Sequence, residues 1–259
     1  MNKLIIVEGL PCSGKSTTAR FIAQQLDMTF IDEGTGDHPA DYEFHAFLTD
    51  NQLENFTSDE RQEIAKHTVK NSGGNIVSLG EFSGELFNKL LQYKIYDFLP
   101  WENERAVMLD KWREFAAKND GGRYVFNCVL LQNPMCETMM RFGFDKSVSA
   151  GYIAEICEII KPFSPIVVYL KNSEVYESVK KASAERGDEW LNSVIDYHCN
   201  GEYGKSHGLK GFDGYISALE ERQRRELDIL SKLDISSIVL DDPQKDWNKT
   251  YPDILAKLK

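Results

Sequence analysis

No apolar run in this sequence approaches the roughly 20 residues that a membrane span requires. The longest early candidate, Leu4–Val7, is ended by Glu8. It is also shorter than the roughly 7–15 apolar residues of a signal-peptide core, so a cytoplasmic protein without a membrane partner is expected. Cysteine is scarce: the five residues Cys12, Cys128, Cys136, Cys157 and Cys199 are odd in number, scattered, and form no C-x-x-C pair. That excludes a zinc ribbon and argues against a disulfide framework. Basic charge is also short, with 30 Lys and Arg against 41 Asp and Glu and a formal net charge of −11. A broad electrostatic nucleic-acid face is therefore excluded, while a small anion held by a few local cations is not. Internal repeats, low-complexity tracts and linker-like segments are absent too. At 259 residues the chain is long enough for one α/β domain that needs no staples, so a single domain over 1–259 is expected.

What is present alternates between strand-like and helix-like segments. Lys3–Glu8 reads as a short buried strand, and Lys15–Leu26 carries Ala19, Ile22, Ala23 and Leu26 at helical spacing. Met28–Asp32 follows as a second strand. Glu102–Lys118 has a helical pattern stopped by the "NDGG" of 119–122, and "NSGGN" at 71–75 marks another break, with Ile76–Leu79 a short extended piece. Tyr124–Leu131, Ile166–Leu170 and Ser237–Leu240 read as further strands, with helices over Gly151–Lys161 and Tyr251–Leu258. Such alternation implies a mainly parallel sheet covered on both faces. The stretch 197–215, with five glycines, reads as the longest irregular loop.

The chemistry begins at "VEGLPCSGKST", residues 7–17, which spells G-x-x-x-x-G-K-S directly after a strand and directly before a helix. Phosphate binding needs backbone N–H groups pointing inward around an anion. Glycine permits the turn, and the helix N-terminus adds a positive partial charge. Gly9, Leu10, Pro11, Cys12, Ser13, Gly14, Lys15, Ser16 and Thr17 are the expected phosphate cradle for ATP. Within it Lys15 reaches the terminal phosphates and Ser16 holds Mg²⁺ through its hydroxyl. A GTPase would need N-K-x-D to read its base, and the nearest segment, "NKTY" at 248–251, lacks the aspartate. A motor-type ATPase would end a long apolar strand on an acid, whereas "YVFNCVLLQNP" has Asn127. Small-molecule phosphoryl transfer is the class that remains.

The same stretch resembles the P-loop of the thymidylate kinase and deoxynucleoside kinase group, in which an acid also precedes the first glycine. "IVVYLKNSEVYESVKKASAERGDEW" (166–190) is similar to that group's strand, helix and arginine-bearing lid. The resemblance spans about the first 190 residues, and only the P-loop is specific. It implies a three-layer P-loop fold with a helical acceptor-side insertion at about 33–120, a lid at about 174–192, and Arg186 as the lid arginine. It further implies that Glu8 accepts the proton of an acceptor hydroxyl. Read from the residues alone, Glu8 can equally orient metal-bound water or be structural, and Arg186 can be an exposed helix ion pair. Asn127-Cys128 departs from the group, standing where an acid and an arginine are expected.

Glu33, Asp37, His38 and Asp41 cluster after the second strand, where loops at strand carboxyl ends line a ligand crevice. Glu33 and Asp41 are the candidates for binding the acceptor, with turn chemistry and capping as the plainer account. Trp101, Trp112 and Trp190 are aromatic-pocket candidates, although Trp112 on a periodic helix reads as core. Tyr203, His207 and Phe212 are substrate candidates in the glycine-rich stretch. The expected function is an ATP- and Mg²⁺-dependent kinase acting on a small-molecule acceptor: a nucleoside, a nucleotide or an antibiotic-like compound. The alternative is a nucleotide-binding regulatory ATPase that hydrolyses slowly or not at all, and homodimer formation stays open.

Overall fold

In the computed structural model, residues 3–71, 73–118 and 121–258 are described; Ser72 of the "NSGGN" break and Asn119-Asp120 of "NDGG" lie outside them. The strands are β1 (Leu4–Gly9), β2 (Thr29–Ile31), β3 (His45–Leu48), β4 (Thr68–Asn71), β5 (Gly74–Ser78), β6 (Tyr124–Asn127), β7 (Ile166–Lys171) and β8 (Ser236–Asp241). The chain divides into two compact units, Met1–Asp32 with Asn119–Lys259, and Glu33–Lys118.

The first unit is an α/β layer structure around a five-stranded parallel sheet of order β2-β6-β1-β7-β8. Every residue of β1 is buried because both its edges and both its faces are covered, which is why Leu4–Val7 shows no polar alternation. Its neighbours are in register at Leu4↔Tyr124 and Ile5↔Ile166. The helix Lys15–Leu26 turns Ala19, Ile22 and Ala23 onto the sheet, where they meet Val7, Val168 and Ile254. In the order β2-β6-β1-β7-β8 the later strands β7 and β8 are added on the opposite side of β1 from β2 and β6, and such a switch in strand order is where a ligand crevice forms at strand carboxyl ends.

The second unit contains helices and, in addition, an antiparallel sheet of order β3-β5-β4 that the sequence reading did not anticipate. Its strands are only four or five residues long, too short for a period-2 pattern to stand out. Two of its helix starts were legible in principle. Thr49 and Thr57 each form a capping box, with Gln52 and Glu60 respectively.

Two expectations need correction. Tyr124–Leu131 is not one strand: β6 stops at Asn127, and Cys128 (φ 53) and Val129 (φ 90) turn the chain sharply. The stretch 197–215 is not an irregular loop, since the helices Asp188–Asn200, Glu202–Ser206 and Gly211–Leu230 take up most of it. Glycine there serves close packing: a Cβ on Gly201 would collide with the Met140 carbonyl, and one on Gly204 with that of Cys199. No helix among the described residues is long and apolar enough to cross a membrane.

Candidate active site

The loop between β1 and the helix Lys15–Leu26 has the backbone that phosphate binding requires. Gly9 (φ 148) passes so close to β7 that a Cβ there would lie 2.6 Å from the Leu170 carbonyl oxygen. Gly14 (φ 88, ψ 18) occupies the left-handed region at the helix start and has no side chain to cap the helix, so the first-turn N–H groups stay available to a ligand. Lys15 lies along the loop with its Nζ donating to the Leu10 carbonyl at 3.1 Å. Ser13 is buried, and its Oγ has no hydrogen-bond partner among the described residues. Leu10 is buried against Val175, Val179 and Tyr215, which anchors the loop's near side, while Pro11, Cys12, Ser16 and Thr17 are partly or largely exposed.

Ser16 connects the loop to the two strands beyond β1. Asn127, at the end of β6 and fully buried, donates from Nδ2 to Ser16 Oγ at 3.0 Å and to Asp32 Oδ1 at 2.7 Å. The second oxygen of Asp32 receives Arg20 at 2.8 Å. Asn127 Oδ1 is a buried acceptor with no partner among the described residues. A hydroxyl and a carboxylate are thus held together by the Asn127 amide at the strand carboxyl ends, and oxygen donors of this kind suit Mg²⁺. Nothing in the sequence separates Asp32 from the neighbouring candidate Glu33, and only the pairing of β2 with β6 distinguishes which of the two acids faces Asn127 and Ser16.

Glu8 is fully buried on β1, and its carboxylate is fixed by backbone N–H groups. Leu130 and Leu131 donate to Oε1 at 2.8 Å each, and Gln132 donates to Oε2 at 3.3 Å. The carboxylate therefore clamps the turn that follows Asn127, at the point where Val129 adopts a φ that a β-branched residue avoids. Burial pushes the Glu8 carboxyl up to about 7, against the lowering pull of the Leu131 N–H and of Lys15, and nearby Glu226 raises it further.

Arg186 ends the helix Val175–Arg186, and its guanidinium stacks over Trp190 at 4.9 Å. It forms no ion pair among the described residues, although Glu185, Asp188 and Glu189 flank it in sequence. Its charge acts on Cys12 in the phosphate loop: burial raises the Cys12 thiol, and Arg186 followed by Lys15 pulls it down. Lys15, Cys12 and Arg186 are therefore electrostatic neighbours. Tyr203 and His207 stack on each other at 4.0 Å, and Phe212 meets Tyr176 at 5.1 Å, so these aromatics are engaged in packing.

Within the second unit, Asp41 is buried and accepts from the Tyr42 N–H at 2.7 Å and from the Tyr96 hydroxyl at 2.6 Å. Both Asp41 and Glu33 bear on Glu43, which the sequence reading did not single out. Burial and then Asp41 push Glu43 up to about 7, with Glu33 adding to the rise and the Gly34 N–H opposing it. Lys111 lies over the Tyr42 ring at 4.4 Å, and burial followed by the Lys111 charge brings His38 down to about 4. Trp112 is core, only 1% exposed. No group of three or more His, Cys, Asp or Glu among the described residues could hold a metal on its own.

No family model matches the chain, and no curated protein matches it. Among solved structures it is similar to the deoxyadenosine kinase from M. mycoides with bound dCTP, at 16% identity over 98% of both chains, TM-score 0.46. It is similar to the YorR protein from Bacillus subtilis in complex with phosphorylated GDP, at 17% identity over 98% of this chain and 95% of that one, TM-score 0.44. It is similar also to the thymidylate kinase from Candida albicans, at 11% identity over 99% and 91%, TM-score 0.44. The solved structures it resembles thus include a nucleoside kinase and a nucleotide kinase.

Proposed function

We propose that the chain is an ATP- and Mg²⁺-dependent kinase that transfers the γ-phosphoryl group to a hydroxyl of a small acceptor. The observation that carries this reading is the link Ser16–Asn127–Asp32 at the mouth of the phosphate loop. It supplies an acidic partner that the sequence of β6 lacks, and this favours the kinase over a non-catalytic regulator.

The backbone N–H groups of Leu10–Ser16 hold the triphosphate, and Lys15 leaves the Leu10 carbonyl to reach its terminal oxygens. Mg²⁺, when bound, neutralises charge on the phosphates; Ser16 and Asp32 are the residues that would hold it directly or through water, with the Asn127 amide positioning both. Arg186, close enough to act on Cys12, spreads positive charge toward the transferred group. Phosphoryl transfer asks mostly for positioning and charge neutralisation, which these residues provide. For the acceptor, the proposed hydrogen-bonding carboxylates are Glu33 and Asp41, with Glu43 coupled to both. This reading takes the second unit as the acceptor-side insertion and Val175–Trp190 as the lid of one kinase domain.

The test is ADP release across nucleosides, nucleotides, sugars and aminoglycosides, with Lys15→Ala as the control. Stimulation by one acceptor class, lost in Lys15→Ala, supports the kinase. A flat response with intact ATP binding supports the regulator instead.

A further inference from the structure

The helix start that holds the phosphate is itself held from outside. A Cβ built on Gly14 would lie 2.6 Å from Cζ2 and 2.8 Å from Cη2 of Trp247, so the indole edge fills the space a side chain would need. Trp247 opens the helix Trp247–Leu258, and it stacks on Tyr251 with ring centroids 5.1 Å apart and planes at 23°. Tyr251 stacks in turn on Phe21 at 4.1 Å and 17°, and Phe21 belongs to the helix that the phosphate loop enters. Ile254, one turn further, is fully buried among Ala19, Ile22 and Ala23 of the same helix. Two rings and one aliphatic residue therefore fix the indole against the helix whose N-terminus is the anion site.

We propose that Trp247 is a positioning residue for triphosphate binding: its six-membered ring is a wedge that keeps Gly14 in the left-handed conformation before any nucleotide arrives. The reasoning is entropic. A glycine with no Cβ has the widest choice of φ and ψ, so an unsupported Gly14 would have to be ordered when the phosphate binds. A rigid ring filling the space where a Cβ would stand narrows that choice in advance, and preorganisation appears as affinity. The wedge touches the phosphate cradle and makes no demand on the base. The inference rests on the proposal that this loop binds a triphosphate.

The experiment measures dissociation constants of MgATP and of inorganic tripolyphosphate by calorimetry for the natural protein, Trp247→Phe and Trp247→Leu. The phenylalanine ring keeps the stack on Tyr251 but is too short to reach Gly14, so Trp247→Phe tests the wedge even where Trp247→Leu fails to fold. Both ligands are expected to weaken by the same factor, about tenfold, in Trp247→Phe, with a melting temperature close to that of the natural protein. Tyr251→Leu, which disturbs the column without removing the wedge, is expected to lower the melting temperature with a smaller change in either affinity. Unchanged affinities in a folded Trp247→Phe would overturn the wedge. A loss for MgATP alone would overturn it also, because Trp247 would then be contacting the base. A natural protein that binds neither ligand would instead sink the phosphate-loop reading itself, and this inference with it.

Discussion

Replacing Glu8 separates two accounts of the acid in front of the phosphate loop. Its Oε1 receives two buried backbone N–H groups at 2.8 Å, and its Oε2 a third at 3.3 Å. Glu8→Gln keeps an oxygen for the two short bonds and loses only the long one, so the turn at 128–132 should survive. A general base replaced by its amide typically loses about 10²–10⁴ in kcat. A clamp replaced by an amide that still holds the turn should lose less than about tenfold, and that smaller loss is the expected result. Stability provides a second readout. The Glu8 carboxyl is raised from 4.5 to about 7, so the folded state binds its proton more tightly than the unfolded state does. The stabilisation is therefore fully present below pH 4.5 and is lost as pH rises through 7. Integrated between pH 5 and pH 8, the loss is about 2–3 kcal/mol at 1.36 kcal/mol per pKa unit. Urea denaturation of both proteins at several pH values should show the natural protein losing that much relative to Glu8→Gln. A difference that stays flat from pH 5 to pH 8 would mean the three N–H donors outweigh burial. A kcat loss above a hundredfold in a folded Glu8→Gln would restore the base.

The other predictions address the cation, the lid and the amide. Lys15→Ala should abolish transfer and weaken ATP binding while leaving circular dichroism and melting temperature nearly unchanged, since Lys15 contributes a single hydrogen bond to the free loop; near-normal turnover would refute the phosphate-loop assignment. Arg186→Ala should lower kcat by about tenfold or more, with a smaller change in ATP affinity, because the guanidinium has no ion pair to lose among the described residues and its proposed role is in the transition state; steady-state kinetics with an unchanged kcat would reduce it to a partner of Trp190. Asn127→Asp should reduce stability and kcat together. Its amide donates to Asp32 Oδ1 at 2.7 Å, and a carboxylate in its place would face another carboxylate. An increase in activity would mean that the metal site needs an acid on β6 after all.

The parallel sheet was readable because its strands are buried on both faces, so Leu4–Val7, Tyr124–Phe126 and Ile166–Leu170 stand out as unbroken apolar runs between helical periods. The glycine-rich loop at residues 9–17 stood out for a different reason: the pattern that marks it is contiguous, and contiguity is what a sequence preserves. Asp32 fails both conditions. It is one of two adjacent acids, and what distinguishes it from Glu33 is the order of β2 and β6 in the sheet, which places Asn127 between it and a serine 16 residues upstream. Trp247 was still more remote, since its contact with Gly14 joins opposite ends of the chain. Val129 misled for a local reason. A β-branched residue after "YVFNC" predicts a continuing strand, whereas the chain turns there with φ 90, a conformation of the kind that costs about 1–3 kcal/mol and persists only when its surroundings enforce it. The enforcing group is the Glu8 carboxylate one strand away. The departure from the strand pattern at Asn127-Cys128 and the acid before the phosphate loop are therefore one feature. The acid holds the strained turn, the turn ends β6 at Asn127, and Asn127 brings Asp32 to Ser16, so a change at any one of the three should be felt at the other two.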